Sequence, residues 1–383
     1  MLGFKNVKAY IYGVGVVDTC IGIENGLITY IGNDQSKITT TLPFEKGAIV
    51  LPGFIDQHVH GAGGADAMDG TFDALNTIAT SLAKEGTTAF LATTMTQSPE
   101  NISKALSAVK DYKQKAPDSG AEILGVHLEG PFISLKHIGA QPKEYVATPS
   151  VEVFDDYNYI SGNNIKIVSL APEEEGADQL IEHLSSLNVI ASAGHTDAGY
   201  SDVEKATKLG LKNVTHTFNA QKGVHHREVG TVGSAMLLDQ LNCEAICDLI
   251  HLSVPAIKLL VKNKPKDKFT LITDSMRAKH LKDGISELGG QTVIVKNGEA
   301  RLENGTLAGS ILKMNDAVKN VVLKCDVPFT NAVDYATVNP ALNLNVFDQM
   351  GSISVGKKAN FAVIDGQFNV ITTIRDGKII YQK

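Results

Sequence analysis

The fold prediction depends on the stretch Leu51-Pro-Gly-Phe-Ile-Asp56-Gln-His58-Val-His60-Gly61. Mostly apolar, strand-like residues lead into two histidines spaced i, i+2, and a glycine follows. In a β-strand this spacing directs both imidazoles to the same side of the strand. Neutral imidazole is the commonest protein ligand for metal ions, so His58 and His60 predict part of a metal site at a strand end. Two structural histidines beside a glycine turn are the alternative.

The composition is that of an ordinary globular protein, with 383 residues, 43% of them hydrophobic and 20% charged. A net charge of −7 and the lack of a dense Lys/Arg run argue against a nucleic-acid-binding surface. The N-terminus lacks a signal-peptide pattern, and no apolar stretch approaches the ~20 residues that span a bilayer. The four cysteines lack CxxC spacing, so we expect reduced, partly buried thiols in a cytoplasmic protein.

Short strands separated by turns occupy both ends of the chain. Asn25-Gly26 lies between apolar runs near the N-terminus, and Asp376-Gly377 does the same near the C-terminus. Both dipeptides are hairpin signals. We therefore expect residues 1–50 and 351–383 to form one small β-sandwich domain. Residues 51–350 would be inserted between its two halves as a larger α/β domain.

The inserted segment alternates between strands and helices. Strand-like runs lie at residues 51–60, 87–94, 121–128, 165–171, 188–194, 212–217, 243–250 and 269–274. Helical patterns follow most of them, at residues 72–85, 102–115, 179–187, 201–209 and 255–262. Eight strands with intervening helices over roughly 270 residues favour a closed (β/α)8 TIM barrel over an open sheet. No GxGxxG motif follows an early strand, which weakens a dinucleotide-binding alternative.

Histidines and acids follow the predicted strands at their carboxyl ends, where barrel enzymes hold their reacting groups. They are His58 and His60 after the first strand, His127 and Glu129 after the third, His195 after the fifth, His216 after the sixth, His251 after the seventh and Asp274 after the eighth. Imidazole and carboxylate can hold divalent ions, which lower the pKa of bound water. A carboxylate after the last strand can take a proton from that water and return it to a leaving group. No Gly-x-Ser-x-Gly elbow supports a serine nucleophile. The pattern therefore predicts amide hydrolysis without a covalent intermediate.

Several of these segments together resemble a known family. They are the first-strand run, His127-Leu-Glu129-Gly-Pro131-Phe, Ala193-Gly-His195-Thr, His216-Thr-Phe-Asn219-Ala220 and Thr273-Asp274. Over essentially the whole chain they resemble the N-acetylglucosamine-6-phosphate deacetylases of the amidohydrolase superfamily. The resemblance implies hydrolysis of N-acetyl-D-glucosamine 6-phosphate to D-glucosamine 6-phosphate and acetate, a reaction of amino-sugar catabolism and recycling.

The resemblance also implies a metal centre. Glu129, His195 and His216 would hold one divalent ion, and His58 with His60 would complete a second site that Glu129 bridges. Two ions per subunit are expected, and mixed His/Glu ligands accept Zn, Fe, Mn or Co. Asp274 would act as the general base and then as the acid for the departing amine.

Substrate contacts are implied for His251, for the backbone of Asn219 and Ala220, and for Leu307 in the loop 304–310, which would line the acetyl group. Arg227 would reach the phosphate of the neighbouring subunit's substrate in a homodimer. A guanidinium matches phosphate oxygens bidentately. A solvated surface arginine is the alternative.

Two positions are ambiguous. Gln141 stands where some relatives have a histidine that contacts the acetyl carbonyl, and it can donate a hydrogen bond there but cannot be cationic. Asp56 either orients a ligand histidine or stabilises the turn.

Two other functions are compatible with parts of the pattern. A different metal-dependent hydrolase of the same barrel class, acting on a cyclic amide or an N-acyl amino acid, would share the metal ligands but would not need Arg227. A non-catalytic scaffold on this fold is the second alternative. Every predicted metal and base position is intact, which argues against that scaffold.

Overall fold

The computed structural model describes residues 1–383. Its strands are β1 (Leu2–Ile11), β2 (Gly15–Glu24), β3 (Leu27–Gly32), β4 (Thr40–Thr41), β5 (Ile49–Pro52), β6 (Phe54–Val59), β7 (Gly61–Ala62), β8 (Ala65–Asp66), β9 (Thr87–Thr94), β10 (Glu122–Glu129), β11 (Ile165–Leu170), β12 (Ile190–Ala193), β13 (Leu211–Val214), β14 (Asn242–Ile246), β15 (Phe269–Ile272), β16 (Gly284–Leu288), β17 (Gln291–Lys296), β18 (Glu299–Leu302), β19 (Phe361–Ile364), β20 (Val370–Arg375) and β21 (Lys378–Gln382). Its α-helices are α1 (Phe72–Ala83), α2 (Pro99–Lys115), α3 (Val151–Ile160), α4 (Ala177–Ser186), α5 (Tyr200–Leu209), α6 (Gly230–Leu237), α7 (Val254–Asn263), α8 (Met314–Cys325), α9 (Phe329–Ala336) and α10 (Val338–Asn343). None of these helices has both the length and the apolar character needed to cross a membrane.

Eight parallel strands form the barrel, hydrogen-bonded in the order β6-β9-β10-β11-β12-β13-β14-β15. The seam between β15 and β6 closes near their carboxyl ends, where Val59 bridges to Ser275 and the Asp274 amide donates to the His58 carbonyl at 2.9 Å. All eight predicted strands are present, and the predicted TIM barrel is confirmed. Strand β14 ends at Ile246, so the segment that carries His251 is a loop and not a strand end.

The first predicted strand is two strands in the structure. The sequence predicts one strand over residues 51–60, whereas β5 and β6 are separated at Gly53. Strand β5 pairs with β1 and β19 in the terminal sheet, and β6 pairs with β9 in the barrel. A Cβ atom at Gly53 would lie 2.2 Å from Thr88 Oγ1, so glycine permits this close passage between the two sheets. Buried residues continue on both sides of the break, and for that reason the apolar pattern does not reveal it.

Both ends of the chain contribute to one sheet, in the order β21-β20-β19-β5-β1-β2-β3, with β4 paired to β1. The turns Asn25-Gly26 and Asp376-Gly377 connect two of its hairpins, and all four residues have positive φ, as type I′ turns require. The Ile28 amide donates to the Lys357 carbonyl at 2.8 Å, so the β3 edge returns to the segment before β19. The sheet thereby encloses a core of 15 buried residues. The domain limits 1–50 with 351–383, and 51–350, remain a prediction.

The predicted helices correspond to α1, α2, α4, α5 and α7, while α3, α6, α8, α9 and α10 were not predicted. Helix α2 begins three residues before its predicted start because Ser98 caps it, accepting from the Asn101 amide, and Pro99 occupies the first helical position. Helix α6 contains two glycines, which lower helix propensity, and it forms because six of its eight residues are buried.

Two small β elements cover the carboxyl end of the barrel. They are the β7–β8 hairpin and the three-stranded antiparallel sheet β16–β18. The inner face of β16–β18 places Leu288, Val293 and Val295 against Met95 and Met276. This sheet therefore forms one wall above the strand ends that carry the predicted site.

Candidate active site

A cavity of about 310 Å³ opens at the carboxyl ends of the barrel strands. The predicted site residues in its lining are His60, Glu129, Gln141, His195, His216, Asn219, Ala220, His251, Asp274 and Leu307. His58 is fully buried next to these residues and Arg227 lies outside the lining. Met95, Leu288, Arg301 and Thr306 also line the cavity. Thr306 belongs to the predicted loop 304–310, whereas Met95, Leu288 and Arg301 were not predicted because a loop and the sheet β16–β18 bring them to the cavity.

The Glu129 carboxylate, at the end of β10, lies at the centre of the buried imidazoles. Its Oε1 atom is 2.9 Å from His216 Nε2 and 3.3 Å from His195 Nε2. The same oxygen is 3.5 Å from His58 Nε2, and Oε2 is 3.2 Å from His60 Nε2. One carboxylate thus contacts the Nε2 atoms of imidazoles from three different strand ends.

Asp274 completes the cluster from the end of the last barrel strand. Its Oδ1 atom lies 3.2 Å from His60 Nε2 and 3.5 Å from His58 Nε2. The ligand atoms of His58, His60 and Asp274 lie within 4.8 Å of one another, and so do those of Glu129, His195 and His216. The two groups of three are adjacent, and Glu129 contacts members of both.

This donor set fits divalent metal ions. His58 Nε2 is buried without a hydrogen-bond partner, although it faces the Glu129 and Asp274 carboxylates. Burial alone would lower the pKa of His60, but those two carboxylates outweigh burial and raise that pKa to about 10. Burial would also raise the pKa of Glu129, yet the His58 charge and the surrounding imidazoles hold it well below its usual range. The cluster therefore favours positive charge among its carboxylates, and imidazole with carboxylate suits Zn, Fe, Mn or Co.

Three residues of the cluster have backbone conformations that L-residues rarely adopt. His195, His216 and Asp274 have φ values of +49°, +28° and +48°. Each follows a barrel strand by two residues. Such a residue costs about 1–3 kcal/mol and persists only where its surroundings fix it. The Asp274 backbone is held on both sides, since its amide donates to His58 and its carbonyl accepts from the Ser310 amide at 2.8 Å.

Hydrogen bonds behind the imidazoles determine which ring nitrogen is free. His195 Nδ1 donates to the His137 carbonyl at 3.0 Å, which leaves Nε2 as the atom that faces Glu129. His58 Nδ1 lies 3.1 Å from Glu244 Oε2. The sequence analysis missed Glu244. Its only sequence signal is one charged residue inside the otherwise apolar run Cys243-Glu244-Ala245-Ile246.

The predicted substrate residues have distinct surroundings. Gln141 donates from Nε2 to Glu129 Oε2 at 2.9 Å and accepts from the Thr96 amide at 2.8 Å, so its amide is oriented from both sides. His251 Nδ1 lies 2.6 Å from Asp248 Oδ2, so Nε2 is the ring nitrogen that this contact leaves free. Arg227 is exposed, and its Nη1 lies 2.7 Å from His226 Nε2. The structure thus brings together all of the predicted site except Arg227.

The barrel, the buried His/Glu/Asp cluster and the cavity above it define a metal-dependent hydrolase fold. The family model described as "Amidohydrolase family" matches residues 49–380. The chain therefore belongs to the amidohydrolase family, whose members are metal-dependent.

Sequence and structure comparisons narrow the relationship. The chain is 43% identical over 382 residues to an N-acetylglucosamine-6-phosphate deacetylase of Bacillus subtilis, covering 96% of each chain. A solved N-acetylglucosamine-6-phosphate deacetylase from Thermotoga maritima is 34% identical, with a TM-score of 0.90 and 100% of both chains covered. A mutant Mycobacterium smegmatis deacetylase, solved in complex with N-acetyl-D-glucosamine-6-phosphate, is 26% identical, with a TM-score of 0.92 over 100% of this chain and 99% of that chain.

Removing the His-x-His pair should change the metal content. We expect a His58→Ala/His60→Ala double variant to bind about one ion per chain where the unmodified protein binds about two, because Glu129, His195 and His216 still form a three-ligand site. Elemental analysis after dialysis measures this. His183→Ala, at a partly exposed histidine paired with Asp155, is the control and should leave the metal content unchanged. Equal metal content in the double variant and the unmodified protein would show that the pair binds no ion.

Proposed function

We propose that this chain hydrolyses the N-acetyl group of N-acetyl-D-glucosamine 6-phosphate to give D-glucosamine 6-phosphate and acetate. The observation that carries the proposal is a single cavity lined both by the metal-ligand cluster and by His251, Asn219, Ala220 and Leu307. The similarity to named deacetylases over nearly the full chain supports the same reaction. The reaction would be a step of amino-sugar catabolism and recycling.

The metal centre of this proposal would contain two divalent ions. Glu129, His195 and His216 would hold one ion, and His58 with His60 would hold the other, with Glu129 shared between them. Bound ions supply Lewis acidity, which lowers the pKa of coordinated water and polarises an amide carbonyl. The short distances from Glu129 Oε1 and Oε2 to imidazoles of both groups support a place for this carboxylate in both ligand sets.

Asp274 is the group that moves protons in this mechanism. Burial would raise the pKa of its carboxyl, but the His58 and His60 imidazoles beside it outweigh burial and hold that pKa below its ordinary value. The carboxylate is therefore ionised near neutral pH and can accept a proton from the attacking water. It then donates that proton to the amine nitrogen as the amide C–N bond breaks.

The remaining cavity residues would bind the substrate. The backbone around Asn219 and Ala220, together with the free Nε2 of His251, would contact the sugar and its phosphate. Leu307 would line the acetyl group. Gln141 already donates one amide hydrogen to Glu129, and its second amide hydrogen is the one available for the acetyl carbonyl.

The phosphate-binding site would be completed by a second copy of the chain. Arg227 is exposed and lies outside the cavity of its own chain, on the loop between the end of β13 and α6. An exposed arginine at this position is suited to reach a neighbouring subunit's cavity in a homodimer. Guanidinium can bind two phosphate oxygens at once.

A cytoplasmic location agrees with the state of the thiols. All four cysteines are free and buried. Reduced thiols of this kind are typical of compartments in which disulfides are rare.

The direct test of the function is acetate release from N-acetylglucosamine 6-phosphate, measured before chelation, after chelation and after metal is restored. We expect activity to disappear with the metal and to return with it. The same assay with free N-acetylglucosamine, an N-acetyl amino acid and a cyclic amide tests the rival hydrolase functions. Faster hydrolysis of any of these than of the 6-phosphate would contradict the proposal.

Asp274→Asn should retain metal and bind substrate but lose turnover. The asparagine amide cannot accept the proton from the attacking water. General acid–base catalysis contributes a factor on the order of 10²–10⁴ to the rate. Steady-state kinetics together with metal analysis on the same sample measures both properties. A metal-replete variant that retains near-normal turnover would remove Asp274 from the mechanism.

Arg227→Ala should raise KM for the 6-phosphate much more than it lowers kcat, because the phosphate is remote from the amide that breaks. A charge-assisted hydrogen bond is worth roughly 1.5–3 kcal/mol, so affinity should fall about ten- to hundred-fold. Free N-acetylglucosamine is the matched control substrate and should show no change in KM.

Subunit mixing tests where Arg227 acts. Mixing Arg227→Ala chains with inactive Asp274→Asn chains should restore activity, because one site of the mixed dimer then has both side chains. If subunits exchange and activity does not return, Arg227 does not act across an interface.

A further inference from the structure

Glu244 is a fully buried carboxylate on β14 to which the proposed mechanism gives no role. It lies inside the barrel beneath the metal-ligand cluster, in contact with the His58 ring. A buried carboxylate must be compensated by hydrogen bonds, so its partners indicate what it does.

Four hydrogen-bond donors converge on this one carboxylate. Gln57 Nε2 donates to Oε1 at 2.7 Å, and Asn213 Nδ2 donates to the same oxygen at 3.1 Å. The other oxygen, Oε2, lies 3.1 Å from His58 Nδ1 and accepts from the backbone amide of His216 at 3.3 Å. The carboxylate offers about four acceptor positions, and all of them are used.

The two amide side chains cannot reverse their direction without breaking other bonds. Gln57 Oε1 accepts from Asn343 Nδ2 at 3.0 Å, and Asn213 Oδ1 accepts from Asn242 Nδ2 at 2.6 Å. Both amides therefore present their NH₂ groups to Glu244. All four hydrogen bonds that Glu244 makes run toward its carboxylate, so an acceptor without a hydrogen of its own is required at this position.

We infer that Glu244 is a positioning residue that holds the His58 proton on Nδ1 and anchors His216, so that both groups of metal ligands keep their mutual orientation. The inference rests on the proposed two-ion site. With Nδ1 protonated, the lone pair of His58 is on Nε2, the atom that faces Glu129 and Asp274 and has no hydrogen-bond partner.

The contact with His216 extends this role to the second ligand group. His216 belongs with Glu129 and His195, and its φ of +28° is a conformation that needs support from its surroundings. Oε2 of Glu244 accepts from the His216 amide and also contacts His58 Nδ1, so a single oxygen atom links one ligand from each group. Loss of this carboxylate should consequently weaken the binding of both ions, whereas loss of His58 and His60 should remove the binding of only one ion.

Glu244→Gln is the informative variant because glutamine keeps the shape and replaces one acceptor with an NH₂ group. At the Oε2 position that NH₂ would meet the His216 N–H. It would also favour the His58 tautomer with its proton on Nε2, and this nitrogen would then have no lone pair for the metal ion. At the Oε1 position it would meet the two NH₂ groups of Gln57 and Asn213. Changes to partners that orient metal-binding histidines typically cost about 10–100-fold in metal affinity.

The experiment measures zinc affinity by competition with a chromophoric chelator for the unmodified protein, Glu244→Gln and a control. The control is Asp334→Asn, which removes an equally buried carboxylate that pairs with Tyr10 and with Lys266, before the amino end of β15. We expect both zinc ions to bind roughly 10–100-fold more weakly to Glu244→Gln. Asp334→Asn should lower thermal stability and leave zinc affinity within about two-fold of the unmodified protein. Equal zinc affinity in folded Glu244→Gln and in the unmodified protein would overturn the inference.

A second measurement needs no variant other than His58→Ala, which identifies the His58 signals. In the zinc-loaded protein with ¹⁵N-labelled histidine, the long-range ¹H–¹⁵N spectrum should show a protonated Nδ1 and a zinc-bound Nε2 for His58. A proton on Nε2 of His58 would overturn the inference even if Glu244→Gln did not fold. If the unmodified protein binds no zinc or other divalent ion, the proposed two-ion site itself fails, and this result is distinct from both outcomes above.

Discussion

The arrangement of side chains at the carboxyl end of the barrel depends on one buried carboxylate, that of Glu129. A buried, unpaired carboxylate costs several kcal/mol, so its oxygens must be compensated by nearby positive charge or by donors. The imidazoles of His58, His60, His195 and His216 all lie within 3.5 Å of these oxygens. They come from the end of β6 and from the turns after β12 and β13, so these three strands must end at the same height along the barrel axis. The depressed pKa of Glu129 and the positive φ values of His195 and His216 both follow from this convergence.

The layer beneath the imidazoles is polar, whereas barrel interiors are usually filled by branched aliphatic side chains. His127 Nε2 lies 2.7 Å from Ser169 Oγ, which contacts Thr215 Oγ1 at 2.5 Å, and Ser192 Oγ contacts the same threonine oxygen. Burial, together with the charge of His58, lowers the pKa of His127 to about 3, so this ring is neutral. A single unsatisfied group in such a layer would cost about 1–3 kcal/mol. The continuous hydrogen bonding avoids that cost and fixes the ligands from below.

Much of the fold and of the ligand cluster could be predicted because both follow short-range rules. Strand runs of buried residues show in the apolar pattern, and parallel strands bring their carboxyl ends together, so His58 and Asp274 could be predicted to meet across 216 residues of chain. Glu244 could not be predicted, since its role depends on which face of β14 it occupies and on four donors that are distant in the sequence. The break at Gly53 is also invisible, because apolar residues continue through it while the chain changes sheets. Helix α6 has low intrinsic propensity and forms through tertiary burial.

Asp56 shows how β6, which carries His58, is joined to β15, which Asp274 follows. The sequence left two roles open for it, the orientation of a ligand ring or the support of a turn. In the structure its Oδ2 accepts from Thr273 Oγ1 at 2.5 Å, and its Oδ1 lies 3.3 Å from the amides of both Thr273 and His58. No ladder of paired residues joins β6 to β15, and this carboxylate adds a side-chain link to the few backbone hydrogen bonds that close the barrel seam. It binds the backbone of the ligand strand and not an imidazole ring. The distance from Asp274 to the His58 and His60 rings therefore depends on this side-chain link together with the backbone hydrogen bond from the Asp274 amide to the His58 carbonyl. Hydrogen bonds of this kind constrain the two strands at one point, just below the atoms whose separation the proposed proton transfer requires.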